Sequence, residues 1–300
     1  MGNARTFLIN WALARRQGWR IILRIDDLAG PRVKRDRIAD VLHDLQWLGL
    51  DWDGEPILQS DRLDSYRAAM QTLTQAAVAY PCDLSRKEIE LAQAAPHAPS
   101  NDAPGEVRFP PELRPPITPC DFDHEAESRS WRLVVDDRDV RFHDAFAGDQ
   151  VSNPSQSVGD FVIWTKAGEP AYQLATVVDD HAFGVTDVIR GDDLLDSAAR
   201  QILVFEALDL APLPTFLHLP LVIGEDGRRL AKRHGDTRIS AYRDAGVAPE
   251  RIIALLARWC GVTPPPEQMS AQAFAEAFDL GTMPRSHTVF TPRDDAWLRE

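Results

Sequence analysis

The sequence predicts an α/β fold, interrupted by an insertion of different character and closed by a short helical region. Three observations carry that reading. Stretches with apolar residues at three- and four-residue steps alternate with short apolar runs of strand length on both sides of residues 83–160. Within that stretch, eight of the chain's 22 prolines fall between Pro96 and Pro119, a density that no helix tolerates. Beyond Ser240 the stripe Ile252, Ile253, Leu255, Leu256 and Trp259 returns at helical spacing.

Residues 3–17 place Phe7, Leu8, Trp11 and Ala14 on one helical face, with Gly18 where a C-terminal cap belongs. Residues 19–25 read as a buried strand ending in Asp26 and Asp27. An amphipathic helix follows over 32–50, with Ile38, Val41, Leu42, Leu45 and Leu48 inward. Another spans 61–79, with Ser60 as N-cap and Leu63, Tyr66, Met70, Leu73 and Ala77 inward. In the insertion, the apolar runs of 131–142 flank Asp136 and Asp137, a β-hairpin pattern. The alternation then resumes with strands at 161–164 and 185–189, a helix at 197–208 and a strand at 219–223. The expected organisation is therefore an α/β domain in two parts, 1–82 and 161–240, an inserted subdomain at 83–160 and a helical region at 241–300.

Composition bounds the class. With 300 residues, 44% hydrophobic and 26% charged, the chain is long enough to bury a sizeable core and is unlike disordered sequences. A formal charge of −13 excludes a globally basic nucleic-acid binder while leaving room for a local basic patch. Cys82, Cys120 and Cys260 are odd in number and far apart, which fits a reducing compartment and offers no disulfide framework. No apolar run reaches the roughly 18 residues of a membrane span, and the start carries no signal-peptide core, so a cytoplasmic protein without a membrane partner is expected.

Several residues invite chemistry, each with a plainer alternative. The run from Arg228 to Arg233 contains Lys232, one of only four lysines, directly after a strand and an Asp226-Gly227 turn. Such a loop suits polyphosphate, or it is a solvated basic turn. Gly2 and Asn3 open a helix, where free N–H groups favour phosphate or simply form a cap. Asp26 ends a strand at the usual ligand edge of an α/β sheet, where it would hold an ammonium or cap the next turn. Tyr172 and Arg190 lie in or at the end of strand-like segments and read singly as a core tyrosine and a surface ion-pair partner, or as ligand contacts.

Whole segments in a fixed order decide between these readings. The run from Gly2 to Trp11, Leu23-Arg-Ile-Asp-Asp27, Ala171-Tyr-Gln-Leu-Ala175, the run from Gly184 to Ser197, His218-Leu-Pro-Leu-Val222 and the Arg229 to Arg233 loop resemble the catalytic domain of glutamyl-tRNA synthetases. The closest resemblance is to the glutamyl-queuosine tRNA(Asp) synthetases, through Gln173 and the Leu194-Leu-Asp-Ser197 run, and it covers residues 1 to about 240. The 60 residues after Ser240 are also fewer than a typical anticodon-binding domain of roughly 100 residues would need.

The resemblance implies a class I synthetase-like, Rossmann-type parallel sheet and ATP-dependent activation of L-glutamate, with Mg²⁺ accompanying ATP. It then implies transfer to queuosine in the anticodon stem-loop of tRNA(Asp). In that reading Lys232 is catalytic and contacts ATP together with Gly2 and Asn3, while Asp26, Tyr172 and Arg190 bind L-glutamate. Arg229 and Ala231 replace a lysine and a serine of the family loop, and Asp26 stands one methylene shorter than the family's glutamate. At the family's zinc site only Cys82 matches; Leu84, Phe109 and Leu113 take the other places, so no zinc is expected and apolar packing should replace it. The rivals are a glutamate ligase charging a tRNA 3′ end or another carrier, and a non-catalytic tRNA-binding remnant. The family's first strand, its Arg-x-Ala-Pro-Ser-Pro-x-Gly loop and its first-signature histidine all belong before Gly2, so the expectation is a longer natural chain and impaired catalysis in this one. The intact mass of the native protein checks this: a larger mass is expected, and one equal to these 300 residues contradicts it.

Overall fold

The computed structural model describes residues 1–28, 35–93, 107–230 and 237–300. Its elements run α1 (Gly2–Gln17), β1 (Arg24–Ile25), α2 (Arg35–Trp47), β2 (Ile57–Leu58), α3 (Leu63–Gln75), β3 (Ala79–Pro81) and α4 (Arg86–Gln93). There follow α5 (His124–Glu127), β4 (Trp131–Leu133), β5 (Val140–Asp144), β6 (Gly148–Ser152), α6 (Pro154–Ser157), β7 (Val162–Trp164), α7 (Tyr172–Ala182), β8 (Asp187–Gly191) and α8 (Leu195–Ala207). The chain ends with β9 (Thr215–Leu219), β10 (Val222–Ile223), α9 (Ile239–Asp244), α10 (Pro249–Trp259), α11 (Ala271–Ala277), β11 (Thr288–Val289) and α12 (Pro292–Arg299). Contacts group these into one unit of residues 1–58, 189–193 and 218–300 and another of residues 59–188 and 194–217. The fold is mixed α/β with parallel pairings β1–β2, β10–β11 and β5–β9, as the sequence predicts. Among the described residues no helix is long and apolar enough to cross a membrane.

In the first unit α1 ends as expected: Gly18 adopts φ 68° and its N–H bonds to Ala14 O, a left-handed cap that glycine takes without strain. Of the face the sequence predicts, Leu8, Trp11 and Ala14 are buried and Phe7 is exposed. The buried surface also takes in Arg5, Ile9 and Ala12, and so includes a charge. The strand expected over 19–25 shrinks to Arg24–Ile25, paired in parallel with Ile57–Leu58. Ahead of it the Asp53 carboxylate accepts the Ile21 N–H at 2.8 Å while Asp53 N–H bonds Ile21 O at 2.9 Å, so a side chain stands in for the ladder. Leu45 in α2 and Leu48 just after its end are buried as expected, but Val41 is exposed. The stripe of α10 is buried throughout. The two-residue strand β11, which pairs with β10, is too short to leave a periodic signal in the sequence.

In the second unit the helix expected from Asp61 starts at Leu63 after a 3₁₀ turn over Gln59–Arg62, and Arg62 rather than Ser60 occupies the N-cap. Buried Asp179 is the reason. Its carboxylate accepts from Gln59 Nε2 at 3.0 Å, Arg62 Nε at 2.6 Å and Tyr66 Oη at 2.9 Å, which draws the turn inward. The hairpin expected over 131–142 does not form. Instead β4 lies between β3 and β7, all antiparallel, and β5 pairs with β6 from Val140↔Ser152 to Asp144↔Gly148. The Asp136-Asp137 segment instead leads from one sheet to the other, and Asn153 Nδ2 and Gln156 Nε2 both donate to Asp137, each at 2.8 Å. In the four-stranded sheet the order is β6-β5-β9-β8, and β8 and β9 each carry the chain from one unit into the other.

Candidate active site

Arg190, the fourth residue of β8, is buried in the first unit. A buried guanidinium is costly unless its N–H groups are met. Its Nε–H donates to Nε2 of His218 on β9 at 2.9 Å, which places the imidazole proton on Nδ1. The strand around it is held on both sides. Asn10 Nδ2 of α1 donates to Ile189 O at 3.0 Å, and a Cβ on Gly191 would lie 2.6 Å from Asp193 Oδ1 and 2.8 Å from Leu221 Cδ2.

The first turn of α1 carries no acidic residue, and its N-cap makes no side-chain bond. Its N–H groups and the positive end of the helix dipole are therefore suited to phosphate. Asn3 Oδ1 accepts from Arg229 Nη2 at 3.1 Å, and Arg229 Nη1 meets Asp193 Oδ2 at 2.6 Å. One guanidinium thus joins the start of α1 to the residue three beyond Arg190. Arg229 sits at the base of a turn closed by Gly224 N–H to Arg228 O at 2.8 Å, with Gly227 at φ 72° as the Asp-Gly pattern predicts. Lys232 lies outside the described residues, as do Ala231 and Arg233.

One helical turn from Gly2, Arg5 is buried and donates from Nη1 to Thr288 Oγ1 at 3.0 Å and from Nη2 to Pro220 O. Burial lowers its pKa, opposed by the nearby Asp192 carboxylate. Burial likewise pushes the Cys260 thiol up to about 12, so it stays neutral at physiological pH. Asp192 also pairs with His287 Nε2 at 2.8 Å.

Asp26 ends β1 as expected, but it is half-exposed and its Oδ1 accepts from Arg24 Nε at 2.8 Å. An ammonium at Asp26 therefore shares that carboxylate with Arg24. The pairing was readable, since residues two apart line one face of a strand. Tyr172 requires a correction: it does not lie in a strand but is the first residue of α7 in the second unit, 41% exposed. Ala171 in extended conformation precedes it, and the apolar 171–175 run that reads as a strand is the buried start of that helix. Next to Tyr172 in the chain, Gln173 Nε2 donates to Ser197 Oγ of α8 at 3.1 Å, and the Asp179 cluster two turns on anchors the same helix.

At the place where the resemblance puts zinc, Cys82 packs with Tyr80, Ile89 and Phe109, and Leu113 covers them. Leu84 does not join this packing and is exposed. Gly159 allows the arrangement, since its φ is +67° and a Cβ there would fall 1.8 Å from Phe109 O. Beside the cluster, buried Asp160 accepts from Arg114 Nε and Nη2, both at 2.8 Å, and from Tyr80 Oη at 2.6 Å. Among the described residues no group of three potential metal ligands converges.

The sequence profile of the family described as tRNA synthetases class I (E and Q), catalytic domain, matches residues 1–294. The chain belongs to this family. It is 44% identical over 274 residues to a glutamyl-Q tRNA(Asp) synthetase of Rhodopirellula baltica, covering 88% of this chain and 82% of that protein. A protein of the same name from Symbiobacterium thermophilum is 40% identical over 95% of this chain and 90% of its own. A glutamate–tRNA ligase of Synechococcus is 35% identical over 99% of this chain but only 64% of its own length. The crystal structure of a glutamate–tRNA synthetase from Elizabethkingia anophelis superimposes with a TM-score of 0.80 at 25% identity, over 99% of this chain and 66% of that one.

The glycines of this site make a contrast. Gly191→Ala is expected to lower unfolding stability by about 1–2 kcal/mol, because two side chains must yield. Gly2→Ala, whose Cβ meets Val222 Cβ at an ordinary 3.7 Å, should stay within about 0.5 kcal/mol of the parent. Denaturant unfolding of both variants measures the difference; equal effects contradict the packing described around Arg190.

Proposed function

We propose that the chain activates L-glutamate with ATP and passes the glutamyl group to queuosine at the wobble position of tRNA(Asp). The observation that carries the choice of acceptor is the hydrogen bond between Gln173 and Ser197 at 3.1 Å. These are the two places where the sequence resembles the queuosine branch, and they are partners in one contact at the residue next to Tyr172 in the chain. Identities of 44% and 40% to proteins named for that reaction support the same reading.

The chemistry follows in two steps. A carboxylate oxygen of glutamate attacks the α-phosphorus of ATP, the bond to the β-phosphate bridging oxygen breaks, and pyrophosphate leaves. A hydroxyl of the queuosine cyclopentenediol then attacks the acyl carbon, an ester forms, AMP departs and the hydroxyl proton is released. ATP arrives as its Mg²⁺ complex. The residues at the start of α1 fit its phosphates: the N–H groups of a first turn that holds no acidic residue, Gly2 and Asn3. Lys232 supplies the point charge that stabilises the departing pyrophosphate. Arg229, three residues before Lys232 in the chain, is fastened to Asn3 and Asp193.

For glutamate, buried Arg190 offers a carboxylate fork, Tyr172 a phenol at the start of α7, and Asp26 a carboxylate for the ammonium. The test uses labelled glutamate, ATP and queuosine-containing tRNA(Asp), followed by nuclease digestion. Label on the anticodon nucleoside is expected. Label on the 3′-terminal ribose favours the tRNA-charging alternative, and no label on either favours a non-catalytic tRNA-binding remnant.

A further inference from the structure

We propose that Arg5 is a positioning residue for the triphosphate of ATP: a buried positive charge, one turn inside α1, that draws the phosphates to the start of that helix. The proposal rests on the reading of the start of α1 as the phosphate site and adds a residue to which that reading gives no role.

Three observations support the assignment. First, the guanidinium is buried on neutral acceptors. Arg5 is 2% exposed; its Nη1 donates to Thr288 Oγ1 at 3.0 Å and its Nη2 to Pro220 O, while its Nε–H is buried and meets no acceptor. Among the described residues no carboxylate forms an ion pair with it. Asp192, whose charge is felt at Arg5, turns its Oδ2 to His287 Nε2 at 2.8 Å, and the neighbouring Cys260 thiol stays neutral. Neutral partners lower the cost of burying a guanidinium but leave its charge in place.

Second, the charge lies beside the phosphate site. The Arg5 N–H closes the first turn on Met1 O at 3.1 Å, and helix side chains lean toward the N-terminus. A Cβ on Gly2 would lie 3.7 Å from Val222 Cβ; Val222 pairs with Thr288, and Pro220 stands two residues before it. Gly2 and the acceptors of Arg5 therefore share β10, the residues just before it and β11. Third, burial makes the charge effective. A cation with little water around it acts further and is screened less by salt than a surface lysine, and its sign matches the helix dipole at that end.

A mere staple between α1 and these strands needs the planar fork of arginine, whereas the field needs only the charge. Calorimetric titration of the full chain with ATP and Mg²⁺, with inorganic triphosphate and with adenosine separates the two in Arg5→Lys, Arg5→Met and Arg5→Gln. The neutral methionine and glutamine variants should bind ATP and triphosphate about tenfold more weakly and adenosine within about twofold of the parent. Arg5→Lys, which keeps the charge and loses the fork, should bind ATP within about threefold of the parent. If the methionine variant does not fold, the glutamine variant gives the same comparison. Parent-like ATP binding in a neutral variant overturns the proposal. So does a loss in Arg5→Lys as large as in the neutral variants, or an equal loss of adenosine and ATP, each of which marks a structural staple. Asn3→Asp, which adds a negative charge to the first turn, tests the underlying reading: parent-like ATP binding there, or no ATP binding by the parent, overturns the start of α1 as the phosphate site.

Discussion

Charge taken out of water has to be met by hydrogen bonds, and this requirement shapes both units of the protein. In the first, Arg5 and Arg190 are buried and each donates to a neutral acceptor: the Pro220 carbonyl for one and the His218 imidazole for the other. In the second, Asp160 and Asp179 are buried and are met by arginine, tyrosine and, for Asp160, a backbone N–H. Removing one partner from such a group leaves the other unpaired, which typically costs about 3–5 kcal/mol. These contacts therefore fix the start of α3, the course of the segment after Phe109 and the ends of β8 and β9 more firmly than local propensity does.

The same requirement explains how much could be read beforehand. Helices with a strong apolar stripe were legible: α10 lies where Ile252, Ile253, Leu255, Leu256 and Trp259 place it, and Gly18 ends α1 as its position suggests. Errors arose where a polar side chain turned inward. Arg5 joins the buried face of α1, and Asp179 pulls Gln59 and Arg62 into a 3₁₀ turn where a helix start was expected. The missing hairpin has another origin: β4 joins β3 and β7 in one sheet while β5 pairs with β6 in another. No periodicity rule announces a buried charge, because its partners lie far along the chain.

Of the candidate site, Asn3 and Arg190 lie on the elements the sequence assigned to them, Asp26 just past the end of β1, and Tyr172 on a helix instead of a strand. What the sequence did not disclose is the set of partners. Asp193 and Arg229 stand 36 residues apart and Asn3 and Arg229 stand 226 apart, so no local spacing could join them. His218 is part of a recognisable segment, but nothing in that segment sets its ring against Arg190. The exception is Arg24 beside Asp26, a pair two residues apart whose contact the strand alternation already contained.

The central claim is that this chain is a glutamate-activating enzyme whose buried Arg190 receives the amino acid. The most direct measurement is amino-acid-dependent exchange of labelled pyrophosphate into ATP, with tRNA(Asp) present. The account predicts exchange with L-glutamate, little with L-glutamine, and loss of the glutamate-dependent signal in Arg190→Ala. No exchange with any amino acid, or exchange in Arg190→Ala equal to that of the parent, would contradict it.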